Sequence, residues 1–364
     1  MPFRPHIERL KPYVAQAPID RLQVQYGIAA MVKLSANEGA FGPVHGVAEQ
    51  LAHESAQLRR YPDSAGLELR DAIAQRHVVS LEHVVLGNGA DELIRLAGLA
   101  TLEPGDNGVF PWPSFPTYVS ACAAVGGVPK PVALNSDWSI NFDALAAAID
   151  DRTRVVFIAN PNNPTGLLAP RVELERFVDN LPRNVLLVLD EAYAEYAGGD
   201  DEPQGINLVR EGVDNLVVLR TFSKIYGLAG LRIGYAVASR PAASALDRVR
   251  SLFNVNAPAQ HAALLSLTAD DEVARRASHV RGARTQILKW LALAGHKPLV
   301  SRANFVCAEV AGGDGPALAE ALLREGVMIR ALDGFGAPQA VRVTVGTDIE
   351  NQYFAAALDR VCGG

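Results

Sequence analysis

Lys224 closes an apolar run, LVVLRTFSK, and stands before a glycine-containing stretch, IYGLAGLR. Taken alone, a lysine at a strand end is a solvated surface group. Its neighbours change that reading. Thr221 and Ser223 precede it and Arg232 follows, supplying two hydroxyls and a guanidinium suited to a phosphate dianion. A lysine beside a phosphate site can form a Schiff base with a carbonyl cofactor. Asp190 ends a second apolar run, VLLVLD, where ionisation is costly unless a cationic or hydrogen-bonding partner is at hand. A protonated pyridine nitrogen would be such a partner, although DEAY alone reads equally well as a helix N-cap. Tyr193, in the same DEAY segment, offers a phenol to an oxygen on the same ring.

Three further clusters extend the pattern. NPNNPTG (160–166) is a strong turn sequence, and its Asn163 amide can donate to a phenolate-like oxygen. GNGADE (87–92) opens a helix, so the backbone N–H groups of Gly89, Ala90 and Asp91 can cradle a phosphate at the positive helix end. It is not GxGxxG, because Glu92 stands where the last glycine belongs. A nicotinamide-dependent oxidoreductase, which wants that fingerprint, is disfavoured. Phe115, after Pro113 and Ser114, can stack on a flat ring. Each cluster alone is weak. A Schiff-base lysine, a pyridinium aspartate, ring-oxygen donors and phosphate donors together specify pyridoxal 5′-phosphate.

The elements that must hold these residues follow an α/β pattern. From His83 onward, short β-rich runs alternate with longer Ala/Leu-rich segments, which predicts a parallel sheet with helical crossovers. RVVFIAN (154–160), VLLVLDEAY, LVVLRTFSK and LRIGYAVA are apolar throughout, as central strands covered on both faces are. Ligands of open α/β sheets bind outside the carboxyl ends of the strands, where all five clusters fall. After about Arg240 come amphipathic helices such as 272–293, then strands FVCAEV and VRVTVG separated by a helix over 316–325. The expected organisation is an N-terminal arm (1–30), a large cofactor-binding domain (31–240) and a small α+β domain (241–364).

The 364 residues, 49% hydrophobic and 20% charged, suffice for two or three domains at roughly 100–200 residues each. With 34 basic against 40 acidic side chains, no basic field favours nucleic acid. No apolar stretch approaches the ~18 residues of a membrane span, and the first thirty residues lack a signal-peptide core. Cys122, Cys307 and Cys362 show no ligand or disulfide spacing, which suggests reduced thiols in a cytoplasm. The histidines lack ligand-spaced partners, so no metal is expected.

Over nearly its whole length the sequence resembles the fold-type I pyridoxal phosphate-dependent aminotransferases. Within them it is similar to the histidinol-phosphate aminotransferases and the related bacterial aromatic aminotransferases. The segments concerned are KLSANEGAFGP (33–43), RYPD (60–63), GNGADE, PNNPTG, DEAYAEY, RTFSKIYGLAGLRIGYA (220–236), RANFV (302–306), EGVMIR (325–330) and VRVTVGT (341–347). The resemblance implies that Lys224 carries the cofactor, Asp190 holds the pyridine nitrogen, Asn163 and Tyr193 bind the ring hydroxyl, and Phe115 stacks on the ring. Thr221, Ser223, Arg232 and the backbone at Gly89, Ala90 and Asp91 would take the phosphate, with Tyr61 reaching in from the other subunit of a homodimer. Substrate would meet Tyr13, Asn37, Arg330 and Arg342. The implied reaction passes an amino group from histidinol phosphate to 2-oxoglutarate, giving imidazole acetol phosphate and glutamate; the alternatives are an aromatic amino acid aminotransferase and a decarboxylase of similar architecture.

Two segments depart from the family pattern. NEGAFGP (37–43) replaces NENPxGP, and AQAP (15–18) replaces a PGKP-like arm. Ala40 in place of proline is expected to loosen its loop, and Phe41 to add an apolar surface suited to an aromatic substrate.

Overall fold

The computed structural model describes residues 4–8, 10, 16–198 and 203–363. In chain order the strands are β1 (Val32–Lys33), β2 (Val84–Gly87), β3 (Asn107–Trp112), β4 (Val128–Ala133), β5 (Thr153–Ala159), β6 (Leu186–Asp190), β7 (Leu216–Thr221), β8 (Gly234–Ala238), β9 (Lys297–Pro298), β10 (Phe305–Glu309), β11 (Val327–Met328), β12 (Arg330–Ala331) and β13 (Ala340–Thr344). Seven of them form the main sheet in the order β2-β8-β7-β6-β5-β3-β4.

Strands β5, β6 and β7 are buried almost throughout, which is why they read as continuous apolar runs. One face packs Phe110, Tyr118 and Phe157 against Leu93 and Ile94 of helix Ala90–Thr101. The other packs Ile158, Leu189 and Phe222 with Phe177 of helix Arg171–Asp179. In register, Ala159 lies beside Asp190 and Asp190 beside Leu219, so the DEAY and TFSK segments emerge side by side at one edge.

The sheet is parallel except at β8, which runs antiparallel between β2 and β7. Its sequence, LRIGYAVA, does not reveal this, since a doubly covered strand is apolar in either direction. The short link from Thr221 to Gly234 holds only a single 3-10 turn, less than the helical crossover that usually joins parallel neighbours. Strand β4, VPKPVA, escapes the sequence pattern because it is a half-exposed edge with two prolines, a place where prolines are tolerated. The arm also contains an unexpected helix, Ile19–Tyr26, whose Tyr26 hydroxyl donates to Glu320 of helix Gly315–Arg324.

A second sheet, β12-β13-β10-β9, is antiparallel and packs with helices Asp270–Leu293 and Gly315–Arg324. Strand β1 pairs with β11, and the Leu34 carbonyl accepts from Thr344 N at 2.8 Å. That short parallel pair carries Ser35, Ala36 and Asn37 across to the second sheet. Among the described residues no helix is long and apolar enough to cross a membrane.

Candidate active site

Asp190 is 6% exposed at the carboxyl end of β6. Its Oδ2 accepts from the Tyr118 hydroxyl at 3.0 Å and its Oδ1 from Ala192 N at 3.2 Å. Burial pushes its pKa up to about 6, against the pull of the Tyr118 hydrogen bond, the Ala192 N–H and the Lys224 charge. The carboxylate therefore stays poorly compensated until a further cation or donor arrives. Lys224, partly buried just beyond β7, is drawn down to about 8, first by burial and then by the Arg342 charge. Its Nζ approaches the Ala36 carbonyl at 3.5 Å and lies 5.7 Å from the centre of the Tyr193 ring.

Tyr193 and Asn163 are both buried. The Tyr193 hydroxyl accepts from Asn37 Nδ2 at 3.0 Å, so its own proton is available to donate. Burial pushes this phenol up to about 12, keeping it protonated. Asn163 Oδ1 accepts from Arg342, which leaves the amide nitrogen as a donor. The turn carrying it is laced to the turn after β3: Ser114 Oγ donates to Asn162 Oδ1 at 2.8 Å, and Asn162 Nδ2 to the Pro113 carbonyl at 3.2 Å. Phe115 sits on that second turn, its ring edge-on to Tyr118.

A cup forms beside this cluster. Gly89 caps helix Ala90–Thr101 with φ of 76°, a left-handed conformation that favours glycine. A Cβ there would meet Arg232 Nη2 at 2.6 Å, so the missing side chain is what admits the guanidinium. Arg232 Nη1 donates to Ser223 Oγ at 3.4 Å. Thr221 and Ser223 are buried, and the Thr221 hydroxyl accepts from Ser223 N at 3.1 Å. The Asp91 carboxylate turns to Thr117 and Arg95, leaving the helix N-terminus with hydroxyls, backbone N–H groups and a guanidinium. This donor set fits a phosphate ester, and the Asp190, Asn163 and Tyr193 set fits a protonated pyridine bearing an oxygen.

On the outer side, Arg342 in β13 is 4% exposed. Besides Asn163 it donates to the Ser35 carbonyl at 3.0 Å, and its guanidinium carbon lies 5.3 Å from the Phe305 ring and 5.5 Å from the Phe335 ring. Arg330 is its register partner on β12, and its Nε is buried without a hydrogen-bond partner among the described residues. Asn37 adopts φ of 54°, donates N–H to Thr344 Oγ1 at 3.0 Å, and has its carbonyl held by Asn304 Nδ2 at 3.2 Å.

The structure thus brings together fourteen of the residues expected from the sequence. Tyr61 stands apart from them, 81% exposed and stacked on Phe253 at 4.5 Å. Tyr13 lies outside the described residues. One expectation is corrected: Phe41 does not widen an apolar substrate surface. Its ring packs edge-on against His279, with Arg275 over its face at 4.9 Å, because helix Asp270–Leu293 runs beside the loop. Nor is that loop free despite Ala40, since a side chain on Gly39 would strike the Lys224 carbonyl.

Sequence reasoning missed Tyr118, Asn162, Asn304, Phe335 and the buried pair of Arg220 with Glu191, 2.7 Å apart. That ion pair ties the residue after Asp190 to the residue before Thr221. Its signal was present, as two charges flanking apolar strand ends. Arg276 was also missed; it is buried and donates to the Ile225 carbonyl at 2.9 Å, next to the lysine.

Fold and site define an α/β enzyme with a buried aspartate and an adjacent lysine at the carboxyl edge of its main sheet. The chain belongs to the aminotransferase class I and II family, whose model matches residues 29–358. It is 42% identical over 360 residues to histidinol-phosphate aminotransferase 2 of Pseudomonas aeruginosa, covering 98% of this chain and 97% of that one. The histidinol-phosphate aminotransferase of an Anaeromyxobacter species is 40% identical, covering 99% and 98%. Among solved structures, histidinol-phosphate aminotransferase from Sinorhizobium meliloti in complex with pyridoxal-5′-phosphate superposes with a TM-score of 0.90 at 30% identity, covering 100% and 98%.

Proposed function

We propose that this aminotransferase uses pyridoxal 5′-phosphate to move the amino group of histidinol phosphate to 2-oxoglutarate, a step of histidine biosynthesis. The names of its relatives support the substrate. The observation that carries it furthest is the Arg330/Arg342 pair. Like charges directly opposite on neighbouring strands repel, and the pair becomes favourable when a dianion lies between them. Histidinol phosphate brings a phosphate, and glutamate brings carboxylates to the same guanidinium forks.

When bound, the cofactor supplies a carbonyl that captures the amino group and a ring that accepts electrons. Asp190 holds the ring nitrogen protonated. The Asn163 amide and the Tyr193 hydroxyl bind the ring oxygen, and Phe115 covers the ring face. Thr221, Ser223, Arg232 and the N–H groups at Gly89, Ala90 and Asp91 hold the phosphate. Lys224, with an ammonium pKa near 8, has a substantial neutral fraction at working pH, so its Nζ can take the proton from the substrate carbon and return it. Asn37 bounds the substrate side.

We further infer a homodimer in which Tyr61 serves the other subunit. A tyrosine 81% exposed, stacked on Phe253 beside the 82% exposed Leu252, supports such a contact. A cytoplasmic setting accords with three unpaired cysteines. Borohydride reduction followed by peptide mass mapping tests the cofactor reading. It should fix pyridoxyl phosphate on Lys224; attachment elsewhere, or none, would overturn it. The packing of Phe41 against His279 removes the feature that favoured an aromatic substrate.

A further inference from the structure

Asn37, on the segment that β1 carries to the second sheet, can face Tyr193 with either end of its amide, and the two arrangements do opposite things. With the nitrogen inward, the Tyr193 hydroxyl accepts and keeps its proton for a further partner. With the oxygen inward, the hydroxyl must donate to Asn37 and its proton is spent. Tyr193, buried and with its phenol pushed up to about 12 by that burial, has one proton to give.

A run of fixed donors decides between the two. It starts at the Asn37 backbone N–H, which can only donate and does so to Thr344 Oγ1 at 3.0 Å. The Thr344 proton then points to Asn37 Oδ1, at 3.2 Å. With Oδ1 held, Nδ2 faces Tyr193 and donates to its oxygen at 3.0 Å. Thr344 is 3% exposed and Asn37 1%, so turning the amide over would strand the threonine proton in the interior, the costly state of a buried donor. Backbone contacts keep the two residues together: Thr344 N donates to the Leu34 carbonyl at 2.8 Å, and Asn304 Nδ2 holds the Asn37 carbonyl at 3.2 Å.

We propose that Thr344 is a positioning residue that sets the Asn37 amide so that Tyr193 donates its proton to the cofactor's ring oxygen. It acts through Asn37 and Tyr193, from the second sheet onto a ring held by the first. This role rests on Tyr193 binding the ring oxygen, and the test separates the two.

Cofactor-free wild type, Thr344→Val, Thr344→Ala and Thr344→Ser are titrated calorimetrically with two ligands. Pyridoxine 5′-phosphate keeps the ring oxygen but has no carbonyl to join Lys224; its 3-deoxy analogue lacks that oxygen. Val keeps the shape of threonine without the hydroxyl, Ala removes the hydroxyl with less bulk, and Ser keeps it. Wild type should prefer pyridoxine phosphate, and Val and Ala should narrow that preference about 10-fold, as for loss of a hydrogen bond to a charged oxygen. They should bind the deoxy analogue within about twofold of wild type, and Ser should retain the full preference. On a Tyr193→Phe background, Thr344→Val should change pyridoxine phosphate binding by less than about twofold, because residues acting through one another are not additive. Hydroxyl-free variants that keep the wild-type preference, or that weaken both ligands equally, would overturn the proposal, as would a Val effect undiminished on the Phe background. Wild type that binds both ligands equally, or neither, would overturn the ring-oxygen reading of Tyr193 and the role of Thr344 with it.

Discussion

Asp190, Asn163, Thr221 and Lys224 sit at or just beyond the ends of long, doubly covered strands, so the strand register sets where each emerges. Arg330 and Arg342 face each other across a short antiparallel pair, and Asn37 hangs from a loop held by Thr344 and Asn304. The first region holds its groups by the register of a rigid sheet. The second holds them by side chains and loops drawn from distant segments, with the Phe305 and Phe335 rings beside Arg342. Chemistry common to many substrates suits the first construction. Selection among substrates suits the second, whose short strands and loops can vary without disturbing the main sheet.

Substitutions in the two regions should therefore separate kcat effects from KM effects. The largest loss is expected for Lys224→Ala, which should retain cofactor through the phosphate cup but lose turnover by at least about 10³-fold. Cofactor content by absorbance and rate by coupled assay check both halves. Asp190→Asn should cost on the order of 10²–10³ in kcat with KM little changed, as expected for loss of a preorganised electrostatic partner.

The same substitution carries a stability signature. The folded pKa of Asp190, raised by burial to about 6, lies above the ordinary aspartate value. The folded protein therefore holds this proton more tightly than the unfolded chain does. The associated stability is present below about pH 4 and is lost as pH rises to about 6. In urea titrations of cofactor-free protein, the Asn variant should gain on wild type over that interval by on the order of 2 kcal/mol. A constant difference across it would contradict the burial argument.

On the substrate side, Arg330→Leu should raise KM for histidinol phosphate and for glutamate about 10–100-fold, since both use the same guanidinium forks and a charge-assisted hydrogen bond is worth about 1.5–3 kcal/mol. Steady-state kinetics with each substrate varied in turn would show it. The smallest effect is expected from Phe41→Ala. Loss of a partly exposed ring and its contact with Arg275 should lower stability by about 1–2 kcal/mol, readable as a shift in Tm, with substrate preference unchanged. A variant that exchanged histidinol phosphate for aromatic donors would restore the loop as a selector.

The same division governs what the sequence made legible. Apolar runs ending in Asp190 and Thr221 announced buried strands, and the carboxyl-edge rule then collected the polar clusters following them. The direction of β8 was hidden because covered strands look alike either way, and β4 because an edge strand with prolines lacks a strand pattern. Tyr118 was missed because its contact with Asp190 depends on packing between a helix start and a strand end. Phe41 was misread because its partners, Arg275 and His279, lie on a helix far along the chain. Phe335 left no signal for the same reason, since its pairing with Arg342 needs the hairpin to close first.

The most direct measurement is a half-reaction without acceptor, in which protein loaded with pyridoxal phosphate is mixed rapidly with histidinol phosphate and, separately, with phenylalanine. Cofactor absorbance is followed in both. A strand-end cluster serving a paired-arginine substrate site predicts rapid bleaching with histidinol phosphate and little with phenylalanine. Rapid bleaching with phenylalanine alone would contradict the role given to Arg330 and Arg342, and no bleaching with either would contradict the role given to Lys224 and Asp190.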